Sequence, residues 1–381
     1  MALISTIEEM RQLAQKRVPK MFYDYADSGS WTEGTYRANE SDFGRIKFRQ
    51  RVAVDMSNRT TATKMIGQDV AMPAAIAPTG LTGMQHADGE ILAAQAAAEF
   101  GIPFTLSTMS VCSIEEVAKH SPAPFWFQLY VMKDHKYSKS LIDRAKAAGC
   151  SALMLTVDLQ ILGIRHKDVK NGLSTPPRLT IKNIIDMARR PRWCMGMLGT
   201  KNRSFGNIVG HAEGVSDMRS LTSWVGEQFD LQLDWDDVAR IKDWWGGKLI
   251  LKGILDAEDA KLAVKSGADA LVVSNHGGRQ LDGANSSISI LPEVVDAVGK
   301  DIEVWMDGGI RSGQDILKAK ALGAQSTLLG RSFLYGLGAN GKQGVSDVLN
   351  ILHKELDMSM ALCGHRDINN VSRDILKDSP F

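Results

Sequence analysis

Eight short apolar runs, each followed by a segment of helical character, predict a closed (β/α)8 TIM barrel for this chain. The runs are almost continuously apolar, the pattern of parallel strands covered on both faces. Eight alternations favour a closed barrel over an open doubly wound sheet. With 381 residues, 44% of them hydrophobic and 23% charged, the chain is long enough for one large barrel and is neither disordered nor fibrous in composition.

The strand expectations follow the chain. Ala74–Pro78 precedes a helix over Asp88–Phe100, and Pro103–Ser107 precedes one over Ser113–His120, whose Ser113 and Glu116 have the order of a capping box. Phe125–Tyr130 leads into Asp134–Gly149, and Ser151–Val157 is the fourth strand. Lys248–Lys252 precedes Asp256–Gly267, and Ala270–Ser274 precedes a helix near Leu291–Val298. Ile302–Asp307 precedes Ser312–Gly323, and Ser326–Gly330 precedes the last barrel helix. A single domain over 1–381 results, with an N-terminal helical cap (1–70), the barrel (71–344) and a C-terminal helix, Val345–Cys363, within a final segment 345–381.

One connection is anomalous. After the fourth strand a long insertion, 176–232, exceeds ordinary loop lengths before a helix begins near Asp234. Between Pro176 and Phe205 it carries seven basic residues (Arg178, Lys182, Arg189, Arg190, Arg192, Lys201, Arg203) against one acidic residue, Asp186, in a chain whose net charge is +1. Ile181, Ile184, Ile185, Met187, Trp193, Met195, Met197 and Leu198 are interleaved among them. Such a segment suits an anionic membrane surface; the alternative is a lid over the barrel mouth.

Composition narrows the remaining classes. The balance of 45 Lys+Arg against 44 Asp+Glu speaks against a nucleic-acid binder. Four scattered cysteines without a C-x-x-C pair fit a reduced compartment and offer neither a disulfide framework nor a zinc site, so no metal is expected. The N-terminus is charged where a secretory signal needs its apolar region, and no apolar stretch is long enough to span a bilayer. The expectation is a cytoplasmic protein, peripheral on the inner face of the cell membrane.

Active sites of such barrels lie at the C-terminal strand ends. Polar residues occupy nearly all of them here: Pro78-Thr79-Gly80, Ser107, Gln128 and Tyr130, Thr156 and Asp158, Lys252, Ser274-Asn275-His276, Asp307-Gly308-Gly309 and Gly330-Arg331. The last two ends read DGGIR and LLGRS. Their glycines let backbone N–H groups approach an anion that Arg311 and Arg331 neutralise, the usual phosphate position of these barrels; plain turns are the alternative. The sixth end reads SNHGGRQLDG. It offers an imidazole as general base, His276, and a guanidinium able to clamp a carboxylate, Arg279. Lys252 is a fixed cation at the fifth end, or else half of a rim salt bridge. These features imply a phosphorylated cofactor, a carboxylate substrate and proton removal beside it.

SNHGGRQLDG resembles the active-site signature of the FMN-dependent 2-hydroxy acid dehydrogenases, the family of glycolate oxidase, mandelate dehydrogenase and the respiratory L-lactate dehydrogenases. The resemblance extends from PKMFYDYADSG through APTGLTGM, STMSVCSIEEV, FWFQLYV, LKGIL and DGGIRSGQDILKAKALGA to LLGRSFLYG, and is nearest to the membrane-associated bacterial members. It implies that His276 is the base and Asp158 its charge partner. Arg165 and Arg279, with Tyr25, would hold the substrate carboxylate, and Tyr130 its hydroxyl. Lys252 would lie by the flavin N1/C2 carbonyl. Ser107, Gln128, Thr156, Ser274 and the backbone of Pro78, Thr79 and Gly80 would contact the flavin, and Asp307, Gly308, Gly309, Arg311, Gly330 and Arg331 would hold the ribityl phosphate. The segment after Asp158 departs from the family's Thr-Pro, reading Leu159-Gln160, but keeps Gly163 and Arg165 in spacing. Met109 replaces a larger aromatic residue of glycolate oxidase, which leaves room for a substrate longer than glycolate.

The function so implied is FMN-dependent oxidation of an (S)-2-hydroxy acid, L-lactate first among candidates, to the 2-oxo acid, with electrons passing to a membrane quinone or a cytochrome. A soluble oxidase using oxygen and a mandelate-type dehydrogenase are the alternatives, and a non-redox phosphate-binding barrel is the rival of another class. Family barrels often form tetramers, so a homo-oligomer is expected.

Overall fold

A computed structural model describes residues 4–173, 180–212 and 228–381. Eight parallel strands form one sheet: β1 (Ala74–Ile76), β2 (Thr105–Ser107), β3 (Trp126–Leu129), β4 (Ala152–Thr156), β5 (Lys248–Ile254), β6 (Ala270–Val273), β7 (Glu303–Asp307) and β8 (Ser326–Leu329). β2 through β8 pair in sequence, β8 pairs with β1, and a parallel bridge between Ile76 and Phe104 closes the ring. The predicted barrel is therefore the observed one.

Strand alternation builds two cores. Ala152 and Met154 belong to the cluster inside the barrel, whereas Leu153 and Leu155 belong to the shell between strands and helices. Trp126 and Trp305 stack inside the barrel, with centroids 5.4 Å apart. A hairpin of Thr63–Met65 and Gln68–Val70 adds Met65 and Val70 to that inner cluster.

Three helices precede the barrel: α1 (Ile7–Arg17), α2 (Lys20–Ala26) and α3 (Gly34–Ser41). Barrel helices α4 (Gly89–Phe100), α5 (Ile114–His120) and α6 (His135–Ala147) follow the first three strands. α7 (His166–Lys170) follows β4, and the described part of the insertion contributes α8 (Ile181–Ala188) and α9 (Pro191–Gly199). α10 (Trp235–Trp245), α11 (Ala257–Lys265), α12 (Ser287–Val298) and α13 (Gly313–Ala321) complete the outer layer, and α14 spans Arg331–Leu362 with a break at Asn340 and Gly341. Arg178 and residues 213–227 of the predicted insertion lie outside the described residues.

Three sequence expectations need correction. The fifth strand continues past Lys252 to Ile254, through a register irregularity that Gly253 permits at φ +107°. Ser113 caps α5 by accepting from the Glu116 N–H at 3.2 Å, but the Glu116 carboxylate turns instead to Lys201 of the insertion, at 2.8 Å. The C-terminal helix expected over Val345–Cys363 starts earlier, directly after the break at Asn340 and Gly341, and ends at Leu362; beyond it Leu376–Asp378 pairs antiparallel with Lys47–Phe48.

The insertion is docked rather than detached. The Lys20 backbone N–H donates to Asp186 at 2.6 Å, the Trp193 indole donates to the Met84 carbonyl at 2.9 Å, and the Trp193 ring stacks on Phe22. Ile181, Ile184, Ile185, Met195 and Leu198 nevertheless remain exposed, Ile181 by 78%. No helix among the described residues is long and apolar enough to cross a membrane.

Candidate active site

A cavity of about 290 Å³ opens at the C-terminal strand ends. Tyr25, Pro78, Thr79, Gly80, Tyr130, Arg165, Lys252, His276 and Arg279 line it, together with Asp307, Gly308, Gly309, Arg311, Gly330 and Arg331. The other five predicted site residues stand immediately behind. Asp158 and Ser274 bond to lining residues, while Ser107, Gln128 and Thr156 are buried at the ends of β2, β3 and β4. Residues separated by up to three hundred positions are thus gathered because parallel strands all end at one rim.

His276 leaves β6 on a run of three left-handed residues, with φ +58° at His276, +66° at Gly277 and +72° at Gly278. A Cβ on Gly278 would stand 2.5 Å from the Tyr36 backbone, so the second glycine is demanded by close approach as well as by φ. The turn aims the imidazole so that Nδ1 meets Asp158 Oδ1 at 2.9 Å. A carboxylate only accepts, so Nδ1 carries the hydrogen and Nε2 of the neutral ring keeps its lone pair. Burial opposes ionisation of Asp158, but the charges of His276 and Lys252 and the hydrogen bond from His276 overcome it and hold the carboxyl below the usual range.

Two guanidinium groups gather over one phenol. Arg165 lies 5.6 Å and Arg279 4.7 Å from the Tyr25 ring centre. Arg165 Nε also contacts Asp168 at 2.8 Å, and Arg279 donates to the Tyr25 carbonyl. Burial, then repulsion from Arg165, pulls Arg279 down to about 10. Guanidinium keeps its proton in proteins, so Arg279 is a buried charge beside a second cation, a cost that a bound anion would relieve. The Tyr130 phenol is pushed up by burial and by the nearby Asp158 charge, which keeps it a hydrogen donor.

A second polar centre sits lower. Lys252 pairs with Asp307 at 2.9 Å and donates to Ser274 Oγ at 2.9 Å. This buried pair replaces the rim salt bridge weighed from sequence. Burial disfavours the lysine charge, but Asp307 and Asp158 raise its pKa, so the amine stays cationic. Ser107 Oγ donates to Gln128 Oε1 at 2.9 Å, which leaves Gln128 Nε2 without a partner. Thr156 Oγ1 and Asp307 Oδ1 are also buried and unpartnered. Orphaned groups of this kind are rare unless a ligand completes them. A buried donor, a hydroxyl, a cation and an acceptor suit a heteroaromatic ring with carbonyl groups attached to a polyol. A Cβ on Gly80 would crowd Met109 Cβ and the Tyr25 hydroxyl, each at 3.2 Å, so the glycine keeps that wall flat. At the far end, Arg311 pairs with Glu40 at 2.7 Å, and Arg331 donates to the carbonyls of Ala26, Ser28 and Gly277. The residues present therefore fit FMN.

Several supporting roles escaped sequence reasoning. Gln280 Nε2 donates to the carbonyls of Asp158 and Ile161, and its Oε1 accepts from the Gly163 N–H at 3.1 Å. It thereby holds the unusual Leu159-Gln160 segment in place. Asn275 exchanges amide hydrogen bonds with Asn39, both 2.8 Å, and joins the signature turn to α3. Phe229 meets the Tyr130 ring edge-on at 5.7 Å and lines the cavity. Gln280 and Asn275 stood inside the signature motif, the only available signal; nothing in the sequence pointed to Phe229.

Comparison with known proteins agrees with this geometry. The family model described as FMN-dependent dehydrogenase matches residues 14–378. L-lactate dehydrogenase from Actinobacillus pleuropneumoniae serotype 5b is 46% identical over 378 residues, covering 99% of each chain. L-lactate dehydrogenase from Haemophilus influenzae is 45% identical over 381 residues, again covering 99% of each chain. The crystal structure of the monotopic membrane protein (S)-mandelate dehydrogenase superposes with a TM-score of 0.93 at 37% identity, covering 98% of this chain and 99% of that one. A mandelate oxidase structure superposes with a TM-score of 0.84 at 33% identity, covering 98% of each. A barrel whose rim gathers an imidazole–carboxylate pair, an arginine clamp and orphaned flavin-type partners, matched along nearly its whole length by that model and those relatives, belongs to the FMN-dependent dehydrogenase family.

Proposed function

We propose that this chain oxidises an (S)-2-hydroxy acid, L-lactate, to the 2-oxo acid, pyruvate. The observation that carries the reading is the imidazole of His276, held by Asp158 at 2.9 Å, facing the same cavity as Arg165, Arg279 and Tyr25. FMN, when bound, supplies the two-electron acceptor. Arg165 and Arg279 bind the substrate carboxylate, and the Tyr25 hydroxyl assists. Tyr130 hydrogen-bonds the substrate hydroxyl. Oxidation to the oxo acid releases two electrons and two protons, and Nε2 of His276 accepts one of those protons. Asp158 stabilises the imidazolium so formed. Lys252 holds positive charge beside the flavin N1/C2 carbonyl. Gln128, Thr156, Ser107, Ser274 and the backbone of Pro78, Thr79 and Gly80 meet the ring. Asp307 takes a ribityl hydroxyl, while Gly308, Gly309, Gly330, Arg311 and Arg331 hold the phosphate.

The names of the full-length relatives support L-lactate over longer acids. Electrons pass to a membrane quinone or a cytochrome. The chain attaches peripherally to the cytoplasmic face of the cell membrane through its insertion and acts as a homo-oligomer, a tetramer. The outward Ile181, Ile184, Ile185 and Leu198, beside Lys182, Arg189 and Arg192, support attachment to an anionic surface. We also propose that residues 1–381 act as one domain, with the cap, barrel and C-terminal segments divided as read from sequence. The test is an anaerobic screen of L-lactate, mandelate, glycolate and longer 2-hydroxy acids against the yellow protein. L-lactate should bleach the flavin fastest. Failure of every acid to bleach it would refute the reaction.

A further inference from the structure

Asp27, at the C-terminal end of α2, is a buried carboxylate that the reaction does not use. Its oxygens accept hydrogen bonds from three phenols and one guanidinium. Tyr36 and Tyr335 donate to Oδ1 at 2.8 and 2.7 Å, and Tyr23 and Arg11 donate to Oδ2 at 2.8 and 3.1 Å. Burial resists ionisation, but these donors and the Arg331 charge keep the group far below the usual carboxylate range, so it stays an anion.

Two of those phenols lead onward. The Arg331 guanidinium rests over the Tyr36 ring at 4.5 Å, and that of Arg311 over the Tyr335 ring at 5.6 Å. Arg331 also straddles Asp27 along the chain, donating to the carbonyls of Ala26 and Ser28 on either side. Both arginines line the cavity end assigned to the phosphate. Among the described residues Arg331 has no carboxylate within ion-pairing distance, whereas Arg311 has Glu40. Arg331 is thus a buried-edge cation whose orientation depends on carbonyls and a ring, not on an opposite charge.

We propose that Asp27 is a positioning residue for the cofactor phosphate, acting through Tyr36 and Tyr335 on the arginines that rest upon them. The inference rests on the family's FMN and on the phosphate assignment of Arg311 and Arg331. It makes the helical cap part of the cofactor site: α2 supplies Asp27, α3 supplies Tyr36, and α14 supplies Arg331 and Tyr335. The carboxylate offers Arg311 and Arg331 no hydrogen bond of its own, because four donors already consume its lone pairs.

Riboflavin lacks the phosphate, so the FMN-to-riboflavin affinity ratio isolates this end of the site. Apoprotein of the wild type and of Asp27→Asn is titrated with both flavins by fluorescence quenching. The substitution keeps shape but turns a donor toward Tyr23 and Arg11, or toward Tyr36 and Tyr335. FMN binding should weaken about tenfold or more, with riboflavin binding unchanged within about twofold. Parallel weakening of both flavins would show a general packing role and overturn the proposal. Unchanged or tighter FMN binding would overturn it too, the latter because the charge alone would then govern the phosphate. Should Asp27→Asn fail to fold, Tyr335→Phe removes only the hydroxyl that donates to Asp27 Oδ1 and keeps the ring beneath Arg311. It should reduce the ratio in the same direction, and an unchanged ratio would overturn the proposal. A wild type that binds FMN no better than riboflavin would instead refute the phosphate assignment itself.

Discussion

At the scale of single residues, the site is a set of charges that burial would forbid unless each had a partner. Asp158 has His276 and Lys252, Lys252 has Asp307, and Arg165 has Asp168. Among the described residues Arg279 and Arg331 are exceptions, Arg331 held by carbonyls and a ring, and Arg279 by carbonyls beside a second guanidinium. Anion binding should therefore stabilise the protein. At about a hundredfold excess over Kd the gain is about 2.7 kcal/mol, a shift of several degrees in Tm. Oxalate, a two-carbon dicarboxylate, should show this shift by scanning fluorimetry, and Arg165→Met should lose most of it. An equal shift in the variant would remove Arg165 from the clamp. Asp158 makes a second prediction, about pH. Its folded pKa is depressed, so its contribution is complete above the ordinary carboxylate range and fades only as pH falls through the lowered value. Asp158→Asn should consequently slow flavin reduction across the whole neutral range, measured as rates from pH 6 to 8. A defect confined to the acid side would contradict the pairing.

At the scale of elements, strand ends were readable because an apolar run followed by a polar residue marks where a buried strand meets solvent. Thr156, Lys252, Ser274 and Asp307 were found that way, and the signature turn declared its own glycines. What stayed hidden depends on contacts between distant segments. Asp27 looks like any helix-terminal aspartate until Tyr335 reaches it from 308 positions away. Phe229 emerges from the insertion with no periodicity behind it, and is set by the antiparallel bridge to Met132 and the edge-on contact with Tyr130. The Gly278 turn carries a stability prediction. Gly278→Ala adds a Cβ where Tyr36 backbone already stands and at φ +72°, so it should lose about 1–3 kcal/mol by denaturant unfolding. An unchanged midpoint would mean that the cap does not pack on the turn as described. The insertion carries another. Replacing Ile181, Ile184, Ile185 and Leu198 with serine should abolish co-sedimentation with anionic phosphatidylglycerol vesicles while leaving soluble turnover intact. Retained vesicle binding would assign membrane attachment to another surface.

At the scale of the whole molecule, cap, barrel and insertion converge on one rim. The cap brings Tyr25, the barrel strand ends bring His276, Lys252 and the unpartnered polar groups of Gln128, Thr156 and Asp307, and the insertion folds Trp193 onto the first strand-end loop. The barrel was evident from its alternation, because closure follows from eight equivalent units. The docking of the insertion was not, since its basic-apolar pattern is the same whether it lies on lipid or on protein. In the structure Trp193 is gripped by the body while Ile181, Ile184, Ile185, Met195 and Leu198 stay exposed.

The central claim is that His276 takes a proton from a substrate held over bound FMN, and single-turnover reduction under anaerobic conditions measures it most directly. Wild-type protein and His276→Ala are mixed with L-lactate in a stopped-flow spectrometer, and FMN content is determined for both. The account predicts equal FMN content and a reduction rate in the variant lower by at least about two orders of magnitude. A variant that holds FMN and is reduced at the wild-type rate would contradict it.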